Sequence, residues 1–131
     1  MSYPDDLTTF VLAIPGLEAT GMYRVRLPRN VTLPAISWKR YYTETGLTHS
    51  GAMSLDHEYT ELACCANSEE EAEALAGTLK AALHGYAGPL GDGWCHLAAV
   101  RQVRADAQPD LGQYYRLVPV DIYYREGDGG S

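Results

Sequence analysis

Three cysteines and two histidines are the side chains of this sequence best suited to chemistry: Cys64, Cys65, Cys95, His57 and His96. Thiolate and imidazole are the ligands zinc prefers, held tetrahedrally in structural and catalytic sites. If the strands carrying Cys64 and Cys95 lie close together, these groups could gather around a metal. Convergence is the difficulty. Cys64 and Cys65 are adjacent, so on a strand they point to opposite faces, and no C-x-x-C or H-x-x-x-H spacing is present. Free cysteine is also among the residues most often buried as a small apolar group. No metal or cofactor is expected. The opposing reading is a small cytosolic enzyme, or a metal- or ligand-binding α+β domain, that uses Cys64, Cys95 and His96.

Other combinations fail on geometry or spacing. Asp56-His57-Glu58 offers acid and base groups, with Ser50 or Ser54 as a nearby nucleophile. Strand alternation splits the three across two faces, and nothing suggests an oxyanion donor. Glu69, Glu70, Glu71 and Glu73 could attract a cation, but the positive end of a helix already accounts for the first three. The glycines from Gly85 to Gly93 form neither G-x-G-x-x-G nor a G-K-[ST] phosphate cradle. The sequence therefore predicts no catalytic residue and no enzyme.

The elements that would position these groups belong to one domain, residues 1–126, followed by a disordered tail at 127–131. A chain of 131 residues, 46% hydrophobic and 21% charged, suits one folded core. Its net charge of −7 opposes general attraction to nucleic-acid phosphates. Local basic patches remain at Arg24, Arg26 and Arg29, and at Lys39 and Arg40. Three cysteines without framework spacing suit a reducing cytoplasm. The first residues lack the basic start of a signal peptide, and no apolar run approaches the ~20 residues that span a bilayer.

Leu7, Phe10, Val11 and Ile14 recur at helical steps, which predicts a short helix from Asp5 to Ile14, stopped by Pro15-Gly16. Alternation predicts strands at Met22–Leu27, Ala35–Glu44, Asp56–Ala66, Trp94–Arg104 and Tyr114–Tyr124. Thr45 to Leu55, rich in Gly, Ser and Thr, reads as a long loop, with Gly46 and Gly51 permitting it to order on contact. Ser68-Glu-Glu-Glu71 is a capping box opening a helix whose stripe is Ala72, Leu75, Leu79 and Leu83. Small Ala74, Gly77 and Ala81 would let another backbone approach it closely. His84-Gly85 stops it. Gly85 to Gly93 reads as a turn-rich connection and Ala105 to Gly112 as a polar one. Pro119 lacks an N–H, which predicts an edge or a bulge in the last strand.

Most of the ten tyrosines, several paired as Tyr41-Tyr42, Tyr114-Tyr115 and Tyr123-Tyr124, fall on these strands beside arginines. Alternation sends one ring of each pair to each face. Outward rings next to arginine suit either cross-strand packing or a protein interface; stacking on single-stranded nucleic acid is disfavoured by the negative charge.

Three segments together resemble the phage tail-completion, or tail-terminator, family. Leu33-Pro-Ala-Ile-Ser-Trp38 is similar to its "LPYIVY" strand. Glu69-Glu-Glu-Ala-Glu-Ala-Leu-Ala76 through Lys80-Ala-Ala-Leu-His-Gly85 is similar to its central helix ending in "ALHG". Tyr114-Tyr-Arg-Leu through Asp121-Ile-Tyr-Tyr-Arg-Glu126 is similar to its closing "YRR…D…VWYRE" strand. The chain departs from the family at Pro119 and in the lead-in at Val31–Leu33. The resemblance covers Leu33 to Glu126.

It implies an α/β fold of the α+β kind: a mainly antiparallel sheet packed against one long central helix and a short N-terminal helix. It also implies a homo-hexameric ring that ends tail-tube polymerisation and joins tail to head. Its partners would be further copies of itself, the tail tube protein and a head-completion or neck protein, with DNA passing through the lumen unread and no membrane involved. Assembly would occur in the host cytoplasm and the product would sit at the tail–neck junction of a virion. A head-closure adaptor is a related expectation. For the tail-terminator reading, the oligomer or tail-tube interface residues expected are Arg24, Arg26, Thr45, Leu47, His49, Met53, Tyr115 and Tyr123.

Overall fold

The computed structural model describes residues 3–17, 20–24, 27, 32–47, 54–108 and 113–125; for 44–47, 54–55 and 106–108 it describes the backbone path alone. The elements in chain order are α1 (Tyr3–Leu12), β1 (Gly21–Arg24), β2 (Ala35–Leu47), β3 (Ser54–Ala66), α2 (Glu69–Leu83), β4 (Gly88–Leu90), β5 (Gly93–Val100), β6 (Arg104–Gln108) and β7 (Gln113–Arg125). They form a mixed α+β fold, mostly sheet, with two helices among the described residues. The strand order is β1-β2-β3-β7-β5-β4, with β6 also paired to β7. All pairings are antiparallel except β1 with β2.

The last strand enters the middle of this sheet. β7 pairs along its length with β3 on one side, and in succession with β6 and β5 on the other. Because β3 and β5 both run against β7, they run parallel to each other. The chain between them must cross a face of the sheet, and α2 makes that crossing. Apolar side chains decide which face. Leu62 and Cys64 of β3 and Val118, Val120, Ile122 and Tyr124 of β7 alternate into one core with Leu75, Leu79 and Leu83 of α2 and Leu7 and Val11 of α1. Both helices therefore cover the same face, and among the described residues no helix covers the opposite face.

Several expected boundaries shift for identifiable reasons. Ser68 accepts a hydrogen bond from the Glu71 amide at 3.2 Å, and the Glu71 carboxylate turns back to the Asn67 amide at 3.3 Å. α2 thus starts at its cap, and it ends at His84 before Gly85, whose φ of 80° suits only glycine well. At 15 residues it is four turns. The expected loop from Thr45 to Leu55 is shorter, because β2 runs to Leu47 and β3 starts at Ser54, with Thr45 opposite Asp56 and Leu47 opposite Ser54. The expected connection Gly85–Gly93 contains β4, hairpinned onto β5. The expected strand Trp94–Arg104 stops at Val100, and a new strand, β6, starts at Arg104 where a polar connection was expected.

Pro119 is neither at an edge nor at a bulge. It lies opposite Glu61 in an unbroken β3–β7 register. Its carbonyl accepts from the Arg101 amide at 2.8 Å, between the points where β5 ends and β6 begins. A strand residue's N–H and C=O point to the same side, so the missing donor faces the gap between those two strands, where no ladder bond is lost.

α1 is tied to the sheet by polar contacts inside the core. Tyr3 hydrogen-bonds Thr60 at 2.8 Å, and its burial raises the phenol above the ordinary tyrosine range. Asp6, fully buried, accepts from the Asp92 amide at 3.0 Å and from the Tyr124 hydroxyl. The β4–β5 turn reaches Asp6 only because Gly91 has no side chain and holds a φ of 58°.

Candidate interface on the open sheet face

The open face carries aromatic rings that two bulges place there. The first is a register shift in β2: Arg40 faces Thr60, whereas Tyr42 faces Tyr59, leaving Tyr41 as the extra residue. Two consecutive side chains therefore share a face. The rings of Tyr41 and Tyr42 each lie 5.5 Å from the ring of Tyr59. The expectation that every tyrosine pair divides between faces fails at this pair. It holds for Tyr123-Tyr124, where Tyr124 is buried against α1 and Tyr123 is on the open face. The second shift lies between Cys95 and Leu97 of β5 and turns Leu97 outward, opposite Tyr123.

Register then aligns the face into two rows. Tyr42, Tyr59, Asp121 and Ala99 follow one another across four strands, and His57, Tyr123 and Leu97 follow across three. The exposed large hydrophobic residues among those described, Tyr41 at 49%, Tyr42 at 43%, Trp94 at 43% and Leu97 at 45%, all belong to this side. An apolar and aromatic patch of this kind, interleaved with arginine, is the composition of protein interfaces.

Charged groups lock the rings in place. Asp121 accepts a forked pair from Arg101, at 2.6 Å to Nε and 2.9 Å to Nη2, and a third bond from His57 Nε2 at 2.7 Å. Partial burial pushes the Asp121 carboxyl up, but the bonds from Arg101 and His57 outweigh it and hold the group below its ordinary value. Its bonds to Asp121 raise Arg101 in turn. The His57 ring stacks on Tyr123 at 4.6 Å and 13°, and the Arg101 guanidinium covers Tyr59 at 4.3 Å. Arg104 and Tyr41 both bond Glu61, at 2.6 and 3.3 Å. Partly exposed pairs like these contribute only ~0–1 kcal/mol each to stability. Their effect is to fix the orientation of rings that would otherwise rotate, which reduces the ordering cost when a partner binds.

The residues first considered for chemistry do not converge. Cys64 lies opposite Arg116 and Cys95 opposite Tyr124, eight positions apart on β7, which is roughly 26 Å along a strand. All three cysteines are buried, and burial pushes the Cys64 thiol up to about 12 and Cys95 to about 11. His96 is exposed on the β5 bulge. Among the described residues no group of three or more His, Cys, Asp or Glu side chains is placed to hold a metal ion, and no helix is long and apolar enough to cross a membrane.

The expected interface residues divide. Tyr123 belongs to the aromatic rows. Tyr115 lies toward the other end of β7, opposite Cys65, and its hydroxyl donates to Gln113 at 2.7 Å. Arg24 ends β1 at the sheet margin, with its guanidinium 5.3 Å over Trp38 on the helix side. Thr45 and Leu47 occupy the β2–β3 hairpin, while Arg26, His49 and Met53 lie outside the described residues. Sequence reasoning missed Asp121, Arg101, Tyr59, Trp94 and Leu97. The only sequence signal for them was the density of tyrosine near arginine.

The described residues thus form an α+β sheet with a built aromatic surface on one face. The model of the family described as "Tail completion protein gp17" matches residues 7–125. The chain therefore belongs to the tail-completion family, the one its motifs resemble. Among solved structures, a chain from "Virion of native gene transfer agent (GTA) particle" shares the fold, with a TM-score of 0.58 and 12% identity, covering 95% of this chain and 92% of that one. No curated protein matches.

Proposed function

We propose that this protein caps a phage-type tail tube as a homo-oligomeric ring of six copies, ends tube polymerisation and presents the surface that joins tail to head. The observation that carries this reading is family membership across residues 7–125. The shared fold with a chain of a gene transfer agent virion supports a place in a virion; the place proposed is the junction of tail and neck, reached after assembly in the host cytoplasm.

Ring closure needs two unlike surfaces on each copy that meet after a fixed rotation. The open face supplies one. The margin of β2 supplies another, because β1 pairs only with Ala35 to Trp38 and, among the described residues, no strand continues along Lys39 to Leu47. The proposed contacts with neighbouring copies, the tube protein and a head-completion or neck protein are the aromatic rows with Tyr123, the hairpin strands at Thr45 and Leu47, the margin at Arg24 and the end of β7 at Tyr115, together with Arg26, His49 and Met53, which lie outside the described residues. A net charge of −7 suits a lumen through which DNA passes without adhering.

Light scattering across a concentration series, with negative-stain imaging, tests the ring. A mass of six subunits with annular particles supports it. A strict monomer that also binds neither tail tube nor neck components overturns it.

A further inference from the structure

We infer that Glu58 is a positioning residue: its buried carboxylate clamps the bulge in β2 and thereby turns Tyr41 and Tyr42 to the same face. Glu58 is fully buried on the helix side of β3. Its Oε1 accepts from Arg40 Nε at 2.9 Å and from the Thr43 hydroxyl, while Oε2 pairs with the other arm of Arg40. Arg40 and Thr43 stand on either side of the register shift. One carboxylate therefore grips both ends of the bulged segment from inside, and the two residues between its anchors, Tyr41 and Tyr42, are left facing out.

The alternative arrangement shows why a clamp is needed. Without the extra residue, alternation would continue from Arg40, placing Tyr42 inward and Thr43 outward, because a one-residue change of register moves every later side chain to the other face. A large ring would be pressed beside Tyr3 and Thr60, and Glu58 would lose an anchor. Burial does not hold the observed register here, since Thr43 is itself exposed on the helix side. A charged group that needs donors from both flanks does choose. The remaining neighbours complete the site: the Arg40 guanidinium lies 5.2 Å over the Tyr3 ring, and Tyr3 is bonded to Thr60. Helix α1 thus backs the clamp.

The inference is independent of the tail-cap reading, and its test needs neither ring nor tube. Glu58→Gln keeps shape but removes the charge and puts a donor where Oε2 accepts the second arm of Arg40, so the forked grip on that flank is broken. Thr43→Val removes the second anchor alone and leaves the ion pair intact. Hydrogen exchange across Lys39–Glu44, with ring-to-ring contacts of Tyr41 and Tyr42 to Tyr59 followed by nuclear magnetic resonance, reads the bulge directly. Both variants are expected to exchange at least tenfold faster at Tyr41–Thr43 and to weaken the Tyr42–Tyr59 contact, while Val118 and Ile122 amides in β7 stay protected. If Glu58→Gln fails to fold, Thr43→Val decides. Wild-type exchange and ring contacts in the folded variants would overturn the inference.

Discussion

Gly85 and Gly91 both hold a positive φ, 80° and 58°, yet alanine at the two positions should have very different consequences. The conformational cost is shared: an L residue in the left-handed region loses roughly 1–2 kcal/mol relative to glycine. At Gly85 a Cβ meets nothing within 4 Å. At Gly91 it would stand 2.3 Å from Asp6 Oδ1 and 2.7 Å from Asp6 Cα. Rotating the aspartate cannot relieve a collision with its backbone, so α1 must move and Asp6 must release Asp92 and Tyr124. Hydrogen bonds to a charged group contribute about 1.5–3 kcal/mol each. Gly91→Ala should therefore cost roughly 4–8 kcal/mol and Gly85→Ala roughly 1–2 kcal/mol, by adding these contributions. With a urea slope near 2 kcal/mol per molar, the midpoint falls by about 2–4 M in the first case and by about 1 M or less in the second. Equal midpoints for the two variants would refute the reasoning, because they would mean that α1 is not seated on the β4–β5 turn.

Other outcomes follow from the same contacts. Arg40→Ala strands the buried Glu58 carboxylate and should destabilise the fold by about 3–5 kcal/mol in denaturant titration. Asp121 is held below its unfolded value, so its contribution to stability is present above that value and is lost as pH falls through the folded one. Stability measured from pH 5 downward should accordingly fall less steeply in Asp121→Asn than in the parent. The raised thiols of Cys64 and Cys95 should resist alkylation at pH 8 in the native protein and react after unfolding, as read by mass spectrometry. Tyr41→Ser with Tyr42→Ser should leave the unfolding free energy from urea titration within about 1 kcal/mol of the parent, since both rings are exposed, while weakening assembly in light scattering.

The parts of this fold that were legible in the sequence are those fixed by neighbours along the chain. Ser68 and Glu71 cap α2 through contacts three and four residues apart, and the alternation of Val118, Val120 and Ile122 follows from strand geometry. What was not legible depends on partners remote in sequence. The shift at Tyr41 requires Glu58, and the shift after Cys95 requires β7. His57 and Asp121 are separated by 64 positions and meet only once β3 and β7 are in register. Pro119 illustrates the limit well. Its missing donor was readable, but the gap between β5 and β6 that accommodates it was not. The aromatic rows were accordingly visible as a surplus of tyrosine and not as a surface.

The central claim is that this protein stops a growing tail tube. Purified protein added to polymerising tail tube subunits, with tube lengths measured by negative-stain microscopy, tests it directly. The account predicts shorter tubes bearing a ring at one end, and less shortening with the Tyr41 and Tyr42 substitutions. Unchanged lengths with bare ends on every tube would contradict it.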